Sequence, residues 1–138
     1  MSRYETSVTG ITSDSTTGLI WTRGYIADHR ITIDQATPII AQMNAEKFGG
    51  IDTWRVAEVQ ERFQITDFTK CGPALDTDAF DSEKSGWELT NTKLRNEDGA
   101  SSSGFVWIVD FGSGYVANHH RSSGAFVRAV SGPSPAGQ

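Results

Sequence analysis

Residues 105–117 constrain this fold most. Phe105-Val106-Trp107-Ile108-Val109-Asp110-Phe111 alternates as a strand does, Gly112-Ser113-Gly114 turns the chain, and Tyr115-Val116-Ala117 returns as the partner. Helical periodicity lies elsewhere in the chain. Between 33 and 46, Ala36, Ile39, Ile40 and Met43 recur at i, i+3, i+4 and i+7. An antiparallel hairpin and an amphipathic helix well separated in sequence predict an α+β, loop-rich domain.

Pro38 limits where the first helix starts. Either Thr37 is the N-cap with Pro38 at the first position, or Asp34 caps and Pro38 sits in the opening turn. Gly49-Gly50 ends the segment. A second helix is predicted after Trp54-Arg55, with Val56, Val59 and Phe63 on one stripe. The Ser- and Thr-rich residues 1–13 read as an extended arm or a first strand, followed by a turn at Asp14–Gly18 and a strand at Leu19-Ile20-Trp21. Residues 70–103 read as mostly irregular. They hold turns at Gly72-Pro73 and Asn96–Gly99, a short strand at Trp87-Glu88-Leu89, and a loop tip at Ala100–Gly104. Phe126–Val130 is a final strand, with Phe126, Arg128 and Val130 on one face and Val127 and Ala129 on the other. Ser131–Gln138 has no core-forming pattern. The expected division is an arm at 1–13, a domain at 14–132 and a flexible tail at 133–138.

Charge excludes one class of partner. The net charge is −5 and the pI about 5.1, so the surface repels phosphate backbones and no nucleic acid is expected. Cys71 is alone, which rules out an intrachain disulfide and fits folding in a reducing cytoplasm. No apolar stretch is long enough to span a bilayer, so membrane insertion is not expected. The first residues, Met1–Thr6, lack the apolar core of a signal peptide. The expectation is synthesis in the cytoplasm and exit by another route, such as cell lysis.

Two polar clusters carry the candidate chemistry. Asp76, Asp78 and Asp81, with Glu83, could place oxygens around a hard cation or fix a loop; the EF-hand glycine and closing Glu are missing, and loop fixing is the favoured reading. No metal or cofactor is expected. Tyr115, Asn118, His119, His120 and Arg121 form the densest polar group near the hairpin return and are the expected contact surface, with donors for a sugar hydroxyl or sulfate. Neighbouring strand residues face opposite ways, so His119 and His120 are not expected to share a metal. Nothing in the spacing makes Cys71 a nucleophile with His29, His119 or His120. No Gly-x-Ser-x-Gly, His-Glu-x-x-His or phosphate-binding loop occurs, so no catalytic residue is assigned and no enzyme is expected.

Several short motifs then occur in a telling order: Thr17-Gly18-Leu19-Ile20-Trp21, Trp54-Arg55-Val56 with Glu61, Leu75-Asp76 with Phe80, Trp87, Trp107-x-Val109-Asp110-Phe111-x-x-Gly114, and Val127-Arg128-x-Val130. This order resembles the DUF1566 domains of bacteria and phages, the family that includes the C-terminal domain of the Legionella collagen-like adhesin. The resemblance covers about residues 14–132. Ala57 and Glu58 replace the family's Pro and Thr and remove its helix cap; the serines after Trp87 are also lost. Trp21, Trp54, Arg55, Asp76, Trp87, Trp107, Asp110 and Arg128 match family positions and are read as structural. Indoles bury large areas, and an arginine fork ties carbonyls or carboxylates together.

The resemblance implies a C-type-lectin-like fold, with two helices packed on a twisted, mainly antiparallel sheet and long loops. It implies that the first and last strands lie close together and that residues 70–104 form a display surface. The Glu-Pro-Asn and Gln-Pro-Asp sugar-calcium signatures of true C-type lectins are missing. The function it suggests is a non-enzymatic structural or recognition protein, a component of a phage virion or surface assembly such as a decoration, fibre or tail protein. The alternative is a free-standing, adhesin-like glycan-binding protein. Expected partners are other chains of the assembly, copies of itself in a homo-oligomer, and surface glycan. The arm 1–13 and tail 131–138 are the expected assembly contacts.

Overall fold

Residues 125–131 bridge the two sheets of the fold. The structure, a computed structural model, describes residues 3–95 and 101–132. In chain order the elements are β1 (Tyr4–Thr6), β2 (Ile11–Asp14), β3 (Ile20–Thr22), α1 (Ile33–Glu46), β4 (Arg55–Val56), α2 (Val59–Gln64), β5 (Trp87–Arg95), β6 (Ser101–Asp110), β7 (Val116–His120) and β8 (Ala129–Ser131). The first sheet runs β1-β2-β3-β8-β4 and the second β5-β6-β7, with every named strand pair antiparallel. The protein is α+β, with two helices and two antiparallel sheets.

β8 is an interior strand of its sheet, between β3 and β4, with Val130 opposite both Trp21 and Arg55. Just upstream, Leu89 N–H donates to the Phe126 carbonyl at 2.9 Å and Phe126 N–H to the Trp87 carbonyl at 3.1 Å, a parallel bridge onto β5. The segment expected as one strand therefore serves one sheet at Phe126 and the other from Ala129 onward. Val127, Arg128, Ala129 and Val130 are all buried, so neither side of the segment faces water. Ser131, expected in the tail, is buried within β8.

α1 covers the expected span but starts differently. Its N-cap is Thr32, which accepts from Gln35 N–H while Gln35 accepts from Thr32 N–H. This reciprocal box satisfies two donors at once. Neither Thr37 nor Asp34 is the cap, and Pro38 lies inside the helix. Proline there removes one donor, and the carbonyl it leaves free, on Asp34, belongs to an exposed residue that water reaches. Ala36 and Ile40 are buried, with Ile39 and Met43 beside them, as the stripe predicts.

α2 departs further from expectation. It is six residues long, and its buried residues are Glu61 and Arg62; Phe63 stands 43% exposed. The cap expected to be lost with the family's Thr is supplied by Glu58 in a capping box with Glu61, and a distant residue adds to it: Val59 N–H donates to Thr92 Oγ1 on β5 at 2.8 Å. Glu61 also accepts from Glu58 N–H at 2.8 Å. Burial and the neighbouring Glu61 push the Glu58 carboxyl above its ordinary range.

The long region after α2 is half irregular and half strand. Residues 70–86 hold no helix or named strand, and Leu75, Ala79 and Phe80 pack against Trp21 in one core cluster. β5, however, extends nine residues where three were expected, and β6 already begins at Ser101. Thr90, Thr92 and Lys93 carry no apolar alternation, so the pairing with β6 and not hydrophobicity defines this strand. The expected turn at Asn96–Gly99 and Ala100 lie outside the described residues, as do 133–138. Within residues 1–13, read as an arm or first strand, β1 and most of β2 extend the first sheet.

Between the sheets lies a buried ion cluster. Arg62 donates to Glu88 through Nε at 2.8 Å and Nη2 at 3.1 Å, and Arg128 Nη2 reaches the same carboxylate at 3.4 Å. All three side chains are 1% exposed. Arg128 also donates to the carbonyls of Arg23 and Asp81 and lies over the rings of Tyr25 and Phe80, 4.9 and 5.2 Å from their centroids. Burial alone would raise the Glu88 carboxyl, but the two guanidinium groups outweigh it and hold it below the usual range.

Glu88→Gln leaves two buried cations short of their counter-charge, and a loss of about 3–5 kcal/mol is expected. Thermal melts followed by circular dichroism check this as a fall in Tm of roughly 10–20 °C. Because the folded carboxyl titrates below its unfolded value, its contribution is present above about pH 4.3 and is lost as pH falls through the lower folded value. The Tm gap between wild type and Glu88→Gln should therefore hold from neutral pH to about 4 and close below it.

Candidate functional site

The pleat of β7 divides the polar cluster that the sequence presents as one group. β7 is an edge strand, paired with β6 so that Phe105 faces His120, Val106 faces His119 and Trp107 faces Asn118. Directly opposed residues point to the same side of a sheet. His120 and Asn118 thus share a face with Phe105 and Trp107, while His119 lies with Val106 on the other. There His119 packs edge-on to Trp87, with centroids 4.8 Å apart. The two histidines do face opposite ways.

The remaining two members lie elsewhere. Tyr115 precedes β7 and is 60% exposed; its carbonyl accepts from Asp110 N–H at 2.8 Å and closes the turn. Arg121 follows β7 and donates to Asp34 at the start of α1. Of the five residues, only Asn118 and His120 are brought together on one surface.

The two faces of the second sheet differ in cover. Val106, Ile108 and Leu89 are buried on one side against Ile31, Ala36, Ala125 and Val127. On the other side Glu88 lies under Arg62 of α2, and Thr90 and Val109 are buried beside it. That cover stops before the far end. Phe105 is 37% exposed, Asn118 and His120 are exposed, and Trp107 is half-buried. Phe105 was not among the expected contact residues. The signal that would have found it is strand parity: it lies opposite the histidine that points outward.

His120 is held firmly. Its Nδ1 accepts from Ser122 N–H at 3.2 Å and lies 2.7 Å from Ser122 Oγ, capping a short 3-10 turn over Arg121–Ser123. Accepting the backbone proton requires Nδ1 to be bare, so the ring proton is on Nε2. The ring meets Phe105 edge-on at 5.4 Å and lies across Gly104.

Most of the residues that match family positions are buried or tied by hydrogen bonds. Trp21 is fully buried, edge-on to Phe80, and Trp54 is buried with Nε1 donating to the Phe48 carbonyl at 3.0 Å. Trp87 Nε1 donates to the Gly124 carbonyl at 3.3 Å, and the Arg30 guanidinium lies 5.0 Å from its ring centroid. Arg55 makes a two-pronged pair with Glu61, both bonds 2.7 Å, and also reaches the Gly132 carbonyl at 3.0 Å. Asp110 Oδ1 accepts from Gly112 N–H at 2.9 Å, pinning the hairpin turn. Trp107, like Trp87, is only half-buried, and its carbonyl takes the Thr90 hydroxyl at 2.7 Å.

The acidic loop works through separate contacts. Asp76 Oδ1 accepts from Asp78 N–H at 3.0 Å, while Asp81 pairs with Arg23 at 3.2 Å. Among the described residues, no group of three or more His, Cys, Asp or Glu side chains stands where it would hold a metal ion. A groove of about 420 Å³ runs beside this loop, lined by Arg3, Tyr4, Thr6, Asp76, Asp78 and Ala79. Arg3 is already paired to Asp14 by two 2.9 Å bonds, and burial pushes the Tyr4 hydroxyl up to about 12. Cys71 is a free, exposed thiol. No described helix is long and apolar enough to cross a membrane.

The seat of His120 is testable at Gly104. This residue has φ of +78°, and a Cβ there would lie 2.5 Å from His120 Nε2. Gly104→Ala should displace the imidazole, shift the Ser122 amide resonance, and cost about 1–2 kcal/mol, read from a denaturant melt.

Comparison with known proteins adds one match. The family model described as the Lcl C-terminal domain matches residues 10–131. No curated protein and no solved structure matches the chain.

Proposed function

This chain belongs to the Lcl C-terminal domain family, and from that premise we propose that it is a non-enzymatic recognition domain displayed on a surface assembly, with a C-type-lectin-like fold. The observation that carries this is the family match, which spans both sheets from β2 to β8. The fold assignment draws support from the last strand, β8, pairing with the N-terminal strand β3 inside the first sheet, with β2 and β1 beyond it. The non-enzymatic reading draws support from where charge is spent. Arg3, Arg23, Arg55, Arg62, Arg121 and Arg128 are all engaged in ion pairs that fix loops or elements.

The assembly is a phage virion or a comparable surface particle, in which the chain serves as a decoration, fibre or tail component and associates with its own copies. A free-standing, adhesin-like glycan-binding protein is the second reading, favoured by the open face at Phe105, Asn118 and His120. The expected contact segments, 1–13 and 131–138, include residues of β1, β2 and β8, so deleting them whole would remove parts of the sheet.

Light scattering of the full chain, beside one lacking only residues 133–138, tests the proposal. A defined multiple of 15.0 kDa is expected for the full chain, and a smaller species without the tail. A monodisperse monomer of the full chain across the concentration range overturns self-assembly. An unchanged multiple after the deletion removes the tail as a contact.

A further inference from the structure

We propose that the free edge of β7 pairs antiparallel with β7 of a second copy, joining two three-stranded sheets into one continuous sheet. This rests on the reading that the chain associates with its own copies, and it names the surface through which it does so.

One rung fixes the direction of the hydrogen bonds along β7. Asp110 N–H donates to the Tyr115 carbonyl at 2.8 Å, and the register then runs unbroken from Val109–Val116 to Phe105–His120. Rungs of an antiparallel ladder alternate between bonded and non-bonded pairs. Ala117 and His119 therefore bond to β6. Val116 and Asn118 turn both N–H and carbonyl away from it, and His120 turns its N–H the same way. Among the described residues nothing takes these outward groups.

The other sheet edges are short or covered. β1 has three residues and β4 has two. β5 shifts register past Leu89, and its outer side is occupied: Leu89 N–H donates to the Phe126 carbonyl at 2.9 Å and Asn91 N–H to the Ala57 carbonyl at 2.8 Å. β7 has no bulge, proline, lysine, arginine or carboxylate. Those are the devices that keep an exposed edge from pairing.

The sequence of β7 suits its own copy. A two-fold axis through Asn118 sets that residue opposite itself and Val116 opposite His120, so every outward group meets a partner. An amide both donates and accepts, so Asn118 can bond its twin, where an ammonium or a carboxylate would be repelled. The chain carries a net charge of −5, and an edge without carboxylates is where two copies meet with least repulsion. Arg121, the next residue along, is already paired with Asp34.

Amide exchange of the full chain, followed by NMR over a range of concentrations, reads the pairing directly. The Val116, Asn118 and His120 amides should exchange quickly in dilute solution and slow at least about tenfold when concentrated, while Ala117 and His119 stay protected throughout. Asn118→Pro removes one outward donor at a place an edge strand tolerates, and should halve the mass read by light scattering. Facing Cα atoms of a bonded rung lie about 5.5 Å apart, within disulfide reach. Asn118→Cys in a Cys71→Ser chain should therefore form a linked dimer on mild oxidation, and Gln42→Cys, on the exposed side of α1, should not. The exchange and cross-linking results decide the matter even if the proline variant fails to fold. The pairing is overturned if the three outward amides ignore concentration, if Asn118→Cys links no faster than Gln42→Cys, or if a folded Asn118→Pro chain keeps its mass. An oligomer that behaves in these ways leaves self-association standing through another surface; a full chain that is monomeric at every concentration overturns both.

Discussion

The Glu88 carboxylate, fixed between Arg62 and Arg128, is the contact on which the rest of the structure depends. Its three members come from β5, α2 and the segment leading into β8, so one buried charge locates both sheets and the short helix relative to one another. Apolar packing alone would hold these elements with less directional preference. A carboxylate met by two guanidinium forks accepts few geometries. Arg128 then carries the constraint outward, since its remaining donors meet the carbonyls of Arg23 and Asp81 at the entrance to two loops. The arrangement is costly to bury and more costly to break, which makes it a device for uniqueness of structure as much as for stability.

Much of this was legible in the sequence where pattern and placement coincide. The β6–β7 hairpin announces itself by alternation around Gly112-Ser113-Gly114, and α1 by its stripe. Arg128 was readable as a tie for carbonyls and carboxylates. What escaped was decided by tertiary contacts that local pattern does not encode. Arg62 and Glu88 look like ordinary surface residues until they are seen to face each other across α2 and β5. The start of α2 takes, besides its local Glu58–Glu61 box, a hydroxyl from Thr92, thirty-three residues away from Val59. The Thr32 and Gln35 box went unread because Pro38 drew attention to the wrong turn. β5 continues well past its apolar residues because β6 is there to pair with it.

The candidate site was half legible for a related reason. Tyr115, Asn118, His119, His120 and Arg121 cluster in sequence, but a strand sends alternate side chains to opposite faces. The structure gives His119 to the packing around Trp87 and Arg121 to the start of α1, and leaves Asn118 and His120 outside. Their neighbours on that face are the aromatic residues Phe105 and Trp107 of β6, the second of which matches a family position. Phe105 reads in the sequence only as one residue of an alternating strand and Trp107 as structural; that Phe105 is exposed and Trp107 half-buried follows from where α2 ceases to cover the sheet.

The position of β8 has a consequence for how this chain is made. Its residues are inserted between β3, encoded more than a hundred residues earlier, and β4. During synthesis the first sheet has a gap between β3 and β4 until residue 131 clears the ribosome. Trp21 and Val130 meet only then, and Glu88 and Arg62 wait for Arg128 until almost the same moment. Helix α1 and the β6–β7 hairpin have local contacts and form early, whereas closure is a single late event that depends on the longest sequence separations in the molecule. Nascent chains halted short of β8 would hold an open strand edge and exposed apolar surface, the features that recruit chaperones.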